Sequence, residues 1–426
     1  MGRGPGASSR NQCADRADAQ YQMHFLTTAQ GWKYIAMNFS VLFKPRRLAA
    51  AIKRRLVSRR NMIDAIHAGK KRFANDPNFR PDLVPTYFLP RPGDGQDDSA
   101  IVKRIIAAYQ KAKARQPDTG EAFNVSNEWV SIYEHNLGPI MKALAEGNVA
   151  QVQRMYQNFF RDPCSTGLTG LPIKIPNLYT GGRIKQKYRE YIMCDVLHRY
   201  NLWRTRTGNR YPAAALSAPV VGNPPGYTVD AVFVRGGGDY QHYYAHAIGE
   251  LLVSCANHVV VELGGGYGGL AYYLLRDHPQ VSYVDFDLPE ATALASYYLL
   301  KCLPDVPIRL YGEVELSPAL LELPGFTMMP GFEIVKMPAK STAVSFNSYS
   351  MAEMSPSTVH TYLDEIARMT QGYFLHVNHN RNAVLSADDF EVEKRGFVLL
   401  QREIAGWTLG INPESDEYEY LYKAEK

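Results

Sequence analysis

A chain of 426 residues, 46% hydrophobic and 21% charged, has the make-up of an ordinary globular protein with room for two or three domains and a sizeable core. No stretch approaches the apolar length that spans a bilayer, and the polar, glycine-rich start has no signal-peptide core. The net charge of +5 is uneven: residues 1–60 carry 12 Lys/Arg against Asp15 and Asp18, leaving the rest of the chain acidic.

Residues 1–22 are small, polar and aperiodic, and are expected to be disordered or extended. Residues 23–43 mix aromatic and aliphatic side chains, and an amphipathic helix there would lead into the basic cluster Lys44-Pro45-Arg46-Arg47, Lys53-Arg54-Arg55 and Arg59-Arg60. A solvated face is the first reading of such a run. A peripheral contact with an anionic membrane, or docking on the protein itself or on a twin subunit in a homodimer, are the others. No recognised nucleic-acid fold accompanies the basic residues, so no nucleic-acid partner is expected. Cys13, Cys164, Cys194, Cys255 and Cys302 are odd in number, scattered and without CxxC spacing, which points to reduced thiols in a cytoplasm.

Pro77–Asp98 is a Pro/Gly/Asp-rich linker. Helical spacing follows at 100–109, 127–146, 149–160 and 184–203, with a break at Gly147-Asn148. The Pro/Gly-rich run 213–227 then sets a domain boundary, giving a mainly helical cap for substrate or oligomer contacts over 23–225 and an α/β domain over 226–426.

The α/β domain begins with an extended segment, 228–235, closed by Gly236-Gly237-Gly238, and a helix over 239–255 that Asp239 caps. Val259-Val260-Val261-Glu262-Leu263 reads as a buried parallel strand. Gly264-Gly265-Gly266-Tyr267-Gly268-Gly269 follows at once, and then a helix to about Asp277. Strand, glycine turn and helix open a nucleotide-binding unit, because bare backbone lets a ligand lie against it. A second strand, 281–286, a helix over 290–301 and a third strand at 308–311 come next. A short extended segment at 332–335 precedes strand four at 343–347, a helix to 369 and strand five at 373–377. The segments 397–401 and 418–422 read as a closing antiparallel pair. Gly264-x-Gly266-x-x-Gly269 fits a dinucleotide site, and Glu262-x-Gly264-x-Gly266-x-Gly268 fits a site for S-adenosyl-L-methionine (SAM).

Asp285-Phe286-Asp287-Leu288-Pro289 resembles the Asp-Leu-Pro segment of class I O-methyltransferases. Ser345-Phe346-Asn347-Ser348-Tyr349-Ser350-Met351-Ala352-Glu353-Met354 and Tyr373-Phe374-Leu375-His376-Val377-Asn378-His379-Asn380 are similar to the two later signatures of the sugar O-methyltransferase family, found among polysaccharide and glycan-tailoring genes. The resemblance covers roughly the C-terminal half. It implies a Rossmann-like, mostly parallel class I methyltransferase sheet with a C-terminal antiparallel hairpin, SAM as cofactor and a sugar-containing acceptor.

By this resemblance Glu262 supports the methionine moiety, and Gly264, Gly266 and Gly268 give backbone access. Asp287 holds the ribose, with Asp285 as its competitor and a helix-start acid as the plainer reading. Leu288 packs on adenine. Glu313 either reaches the adenine amine or is a loop acid. Asn347 faces the methyl or methionine portion, and Glu353 orients substrate or serves as a structural carboxylate. Asn378, His379 and Asn380 follow strand five, and Asn378 joins Glu353 and His379 as a candidate catalytic residue. His379 is the first choice to accept the sugar proton and His376 the second. Tyr243 and Arg235 border the SAM carboxylate. His242 and His246 share a helix face at metal-ligand spacing, yet no paired aspartates end strands four or five, which favours chemistry without a metal. A NAD-linked oxidoreductase and a non-catalytic binding protein on the same scaffold stay open.

Overall fold

The computed structural model describes residues 60, 63–84, 95–125, 128–169, 184–380, 385–407 and 417–425. The chain divides into two compact units, Met1–Asp64 and Ala65–Lys426. The expectations for residues 1–22, for a helix over 23–43 and for the basic cluster short of Arg60 fall outside the described residues.

The main described helices that precede the sheet are α1 (Ser99–Arg115), α2 (Gly138–Ala145), α3 (Val149–Tyr156) and α4 (Gln186–Arg206). Helix α1 buries Val102, Ile105, Ile106, Tyr109 and Ala112, a stripe at helical spacing. Asn148 starts α3 by accepting the Gln151 amide at 3.1 Å. A short helix, Glu128–Ile132, and a π turn, Tyr133–Leu137, precede α2, so the helix expected over 127–146 is interrupted.

The hairpin β1 (Gly226–Val229) and β2 (Val232–Arg235) turns through Asp230 and Ala231, both at positive φ. Helix α5 (Gly238–Leu252) follows. Its cap is Gly237, at φ +81°, and not Asp239 as the sequence suggested. The Asp239 carboxylate instead takes the amide of Tyr240 at 2.8 Å.

The remaining elements are β3 (Val259–Leu263), α6 (Gly269–Asp277), β4 (Ser282–Asp287), α7 (Pro289–Cys302), β5 (Ile308–Arg309), β6 (Gly325–Pro330), β7 (Thr342–Ser348), α8 (Pro356–Met369), β8 (Thr370–His379), β9 (Phe397–Ile404) and β10 (Glu417–Ala424). The sheet order is β5-β6-β4-β3-β7-β8-β10-β9. Strands β3 to β8 pair in parallel, and β10 runs antiparallel to both β8 and β9. This is a Rossmann-like, mostly parallel sheet closed by a C-terminal antiparallel hairpin. The strand that pairs with β4 is β6, however, and the expected 308–311 supplies the two-residue edge strand β5. All six residues of β6 are buried, so burial on both faces selects it, although its unbranched methionines hide the usual strand signal. The segment 332–335 lies in a 3-10 turn, Gly331–Lys336, and not in a strand.

Every β3 residue is buried because both sheet faces are covered. Val259, Val261, Leu263, Val284 and Phe286 pack beneath Val359, Leu363 and Ile366 of α8. Val260, Tyr283, Phe326, Val344 and Phe346 share the opposite core with Tyr244, Leu270, Tyr273 and Leu294 of α5, α6 and α7. The helical region enters that same core. Tyr156 meets Tyr297 at 5.3 Å between ring centroids, and Lys301 pairs with Asp98 at 2.7 Å. The packing thus runs across the boundary expected near residue 225. Cys164, Cys194, Cys255 and Cys302 are free thiols, and among the described residues no helix is long and apolar enough to cross a membrane.

Candidate functional site

The carboxyl ends of β3, β4, β7 and β8 converge at the glycine turn, the position where open α/β sheets bind ligands. Gly264, Gly266 and Gly268 hold φ of +79°, +61° and +83°. The two central glycines also have no room for a side chain. A Cβ on Gly265 would stand 2.4 Å from Asp285 Oδ2 and 2.7 Å from Glu262 Oε2, and one on Gly266 would stand 2.5 Å from the Leu168 carbonyl oxygen.

Three carboxylates surround this turn. Glu262 and Asp285 are partners in the parallel β3–β4 register, so they project from one face, and Asp287 follows two residues on. Asp285 Oδ1 accepts the Gly265 amide at 3.2 Å and Asp287 Oδ2 the Gly266 amide at 3.0 Å. Asp287 Oδ1 accepts the Leu288 amide at 2.7 Å, which places Leu288 at the start of α7. Glu262 Oε2 accepts the Tyr283 hydroxyl, while buried Asp285 Oδ2 has no hydrogen-bond partner. Burial raises all three groups: Glu262 and Asp287 reach about 7, and Asp285, between the other two charges, stands well above the carboxylate range.

Asn347 and Asn378 tie the ends of β7 and β8 together. Asn378 Nδ2 donates to Asn347 Oδ1 at 2.9 Å, and its Oδ1 accepts the Ala352 amide at 3.3 Å. Asn347 Nδ2 donates to the Leu263 carbonyl at 2.8 Å and to Ser350 Oγ at 2.6 Å. Both asparagines are fully buried, so the structure gives Asn378 a scaffolding place rather than the catalytic one expected of it. Between these strand ends Tyr349 takes φ +63°, an unusual backbone for a bulky residue. Its amide donates to the Val377 carbonyl at 2.8 Å, and its ring lies 6.4 Å from that of half-buried His379. His376 is instead sealed in the core, stacked 4.5 Å from Tyr420, and burial lowers it to about 3, which removes it as a base.

The helical region, read from the sequence as a cap, roofs the turn through residues that no motif singled out. The Leu168 carbonyl accepts the Tyr267 amide at 3.1 Å. Trp129 Nε1 donates to Glu353 at 2.9 Å, so Glu353 at least anchors this roof. Glu290, beside Asp287, receives the hydroxyls of Tyr109 and Tyr133 and pairs with Lys113 at 3.2 Å.

Other expected site residues stand elsewhere. Glu313 pairs with Arg104 of α1 and takes the Leu310 amide at the outer edge of the sheet; the acid just past the true third strand is buried Glu333. Tyr243 directs its hydroxyl to Glu419 at 3.3 Å beneath Arg206, away from the turn. Arg235 touches the turn through the Tyr267 ring. It is buried with its guanidinium 5.0 Å from the Tyr267 ring and donates to Gln241, which also receives the Tyr267 hydroxyl at 2.8 Å. His242 accepts from Trp203 and His246 meets Arg210 and Tyr211, so the paired histidines serve other partners than a metal.

No family model matches this chain, and no curated protein does. Among solved structures it is similar to the N-methyltransferase NodS from Bradyrhizobium japonicum WM9 in complex with S-adenosyl-L-homocysteine (SAH), at 12% identity over 54% of this chain and 100% of that one, with a TM-score of 0.32. Magnesium protoporphyrin IX methyltransferase ChlM from Synechocystis PCC 6803 with bound SAH overlaps at 9% identity over 44% of this chain and 87% of that one, with a TM-score of 0.31. The [4+2]-cyclase SpnF overlaps at 13% identity over 43% and 81%, also with a TM-score of 0.31.

Proposed function

We propose that the protein is a SAM-dependent O-methyltransferase acting on a sugar hydroxyl of a glycan, nucleotide sugar or glycosylated metabolite. The observation that carries the SAM reading is the occupation of the glycine turn by carboxylates. The amides of Gly265 and Gly266 face Asp285 and Asp287, and Glu262 stands behind them. A dinucleotide pyrophosphate needs those amides open and the surrounding charge positive or neutral. A ligand bearing a sulfonium and an ammonium is attracted to the same place. The orphaned Asp285 oxygen and the bare cradle at Gly265 and Gly266 fit that group.

In this reading Asp287 holds the ribose hydroxyls, Glu262 faces the methionine ammonium and Leu288 lies against adenine. Arg235, buried beside Tyr267 with Nε and Nη1 unpartnered, faces the methionine carboxylate. SAM supplies an activated methyl group, so the protein's remaining work is alignment and proton removal. Asn347, locked by Asn378, fixes the end of β7 toward the methyl group. Tyr349 and His379 line the acceptor side, and His379 accepts the hydroxyl proton. The sugar assignment rests on the resemblance of the strand-four and strand-five segments, with the aromatic Tyr349 and Tyr240, 5.9 Å apart, in keeping with it.

Labelled-methyl transfer from SAM into the host's glycan precursors tests this. Label in the carbohydrate fraction, lost in His379→Ala while SAM affinity holds, is the expected result. Label only in other fractions would overturn the sugar assignment, and undiminished transfer by His379→Ala would remove His379 as the base.

A further inference from the structure

The glycine turn holds one more acid than binding a ribose and an ammonium requires. Asp285 Oδ2 and Glu262 Oε2 both lie within 2.7 Å of the point where a Cβ on Gly265 would sit. Asp285 is fully buried and this oxygen has no partner, and Glu262 is buried with a single donor, the Tyr283 hydroxyl. Among the described residues neither makes an ion pair. The titratable groups facing the pair are all acids or phenols: Tyr283 and Asp287 from β4 and Tyr240 from α5. Asp287 in turn faces Glu290 of α7, Tyr133 and Tyr362.

We infer that Glu262 and Asp285 share one proton across the Gly265 slot while no sulfonium is bound, and that a sulfonium donor displaces it, so the turn holds the donor more tightly than the thioether product, which carries one charge fewer. The inference rests on the SAM reading above. Two carboxylates this close in a buried site cannot both ionise cheaply, and a proton gives the orphaned Asp285 oxygen the partner it lacks. A fixed positive charge nearby offsets the second negative charge, and the displaced proton leaves to solvent. After methyl transfer the C–S bond pair stays on sulfur, the ligand's charge falls by one, and the pair takes a proton back. Asp285 then acts as a specificity residue, because it favours release of product over release of donor.

SAM and SAH differ by one methyl group and one charge, and below about pH 7 the α-ammonium of each stays protonated, so the ratio of their affinities isolates the sulfonium. Calorimetry on the full-length protein, in buffers of different ionisation heat between about pH 5.5 and 7, reads both affinity and proton release. For the wild type, SAM binding releases a proton and the SAM preference rises about fivefold or more over this range. In Asp285→Asn the ratio stays flat within about twofold over the same range. A flat ratio in the wild type, or a rise preserved in Asp285→Asn, overturns the inference and leaves the SAM reading standing. Should Asp285→Asn not fold, the wild-type ratio and its proton release decide alone. Failure of both ligands to bind at any pH overturns the SAM reading and this inference with it.

Discussion

Asp287 Oδ2 receives the amide hydrogen of Gly266 at 3.0 Å, across the gap between the second strand and the glycine turn. The bond fixes the turn to the strand. Replacing Asp287 with Ala removes this anchor and the proposed ribose acceptor together. SAM affinity should fall at least about tenfold, the scale of one charged hydrogen bond. Calorimetry checks it, and unchanged affinity would take Asp287 out of the site.

Gly265 should tolerate no side chain. The Cβ of Gly265→Ala would meet Asp285 Oδ2 at 2.4 Å and Glu262 Oε2 at 2.7 Å, two buried groups held by their own hydrogen bonds. The expected cost is about 1–3 kcal/mol of stability, with SAM binding lost or severely weakened. Chemical denaturation of the variant beside wild type measures the first part. An unshifted midpoint would mean that the turn relaxes freely.

Asn378→Ala should act through stability before chemistry. It strips the Ala352 amide and the Asn347 carbonyl of their partner inside the core, and one buried group left unpaired costs about 1–3 kcal/mol. Thermal unfolding should show the loss even without ligand. A variant as stable as wild type but slow in transfer would return Asn378 to the catalytic role read from the sequence.

His376 gives the chain an acid-side weakness. Burial lowers it to about 3, far below the unfolded value near 6.5, so the unfolded chain binds the proton first. Its contribution is present above pH 6.5 and is lost as pH falls toward 3. His376→Phe should keep the stack on Tyr420 without that penalty. The stability difference in favour of the variant should grow by up to about 1.4 kcal/mol per pH unit below 6.5. Denaturation at pH 7 and pH 5 compares the two, and a constant difference would mean that His376 is not neutral in the fold.

The local parts of the site were legible in the sequence. A valine run, an acid and clustered glycines can form little else, and the strand-ending Asp287 follows at a readable distance. Partners fixed only by tertiary packing were not legible. Glu313 looked available until the fold brought Arg104 to it from 209 positions away in sequence. The strand beside β4 was missed because Gly325-Phe326-Thr327-Met328-Met329-Pro330 carries one β-branched residue and is chosen by burial alone. Asn378 resembled a catalytic amide because its neighbour Asn347 sits 31 residues earlier, one strand over. The roof formed by Trp129, Tyr133 and Leu168 had no motif to announce it.

The most direct trial is calorimetry of the purified full-length chain with SAM, SAH and NAD in turn, each at a concentration well above about 100 μM to reach weak binding. Saturable binding of SAM and SAH with no heat from NAD is the predicted result. Binding of NAD with SAM and SAH silent would contradict the account at its centre, because a pyrophosphate would then have displaced Asp285 and Asp287 from the glycine amides.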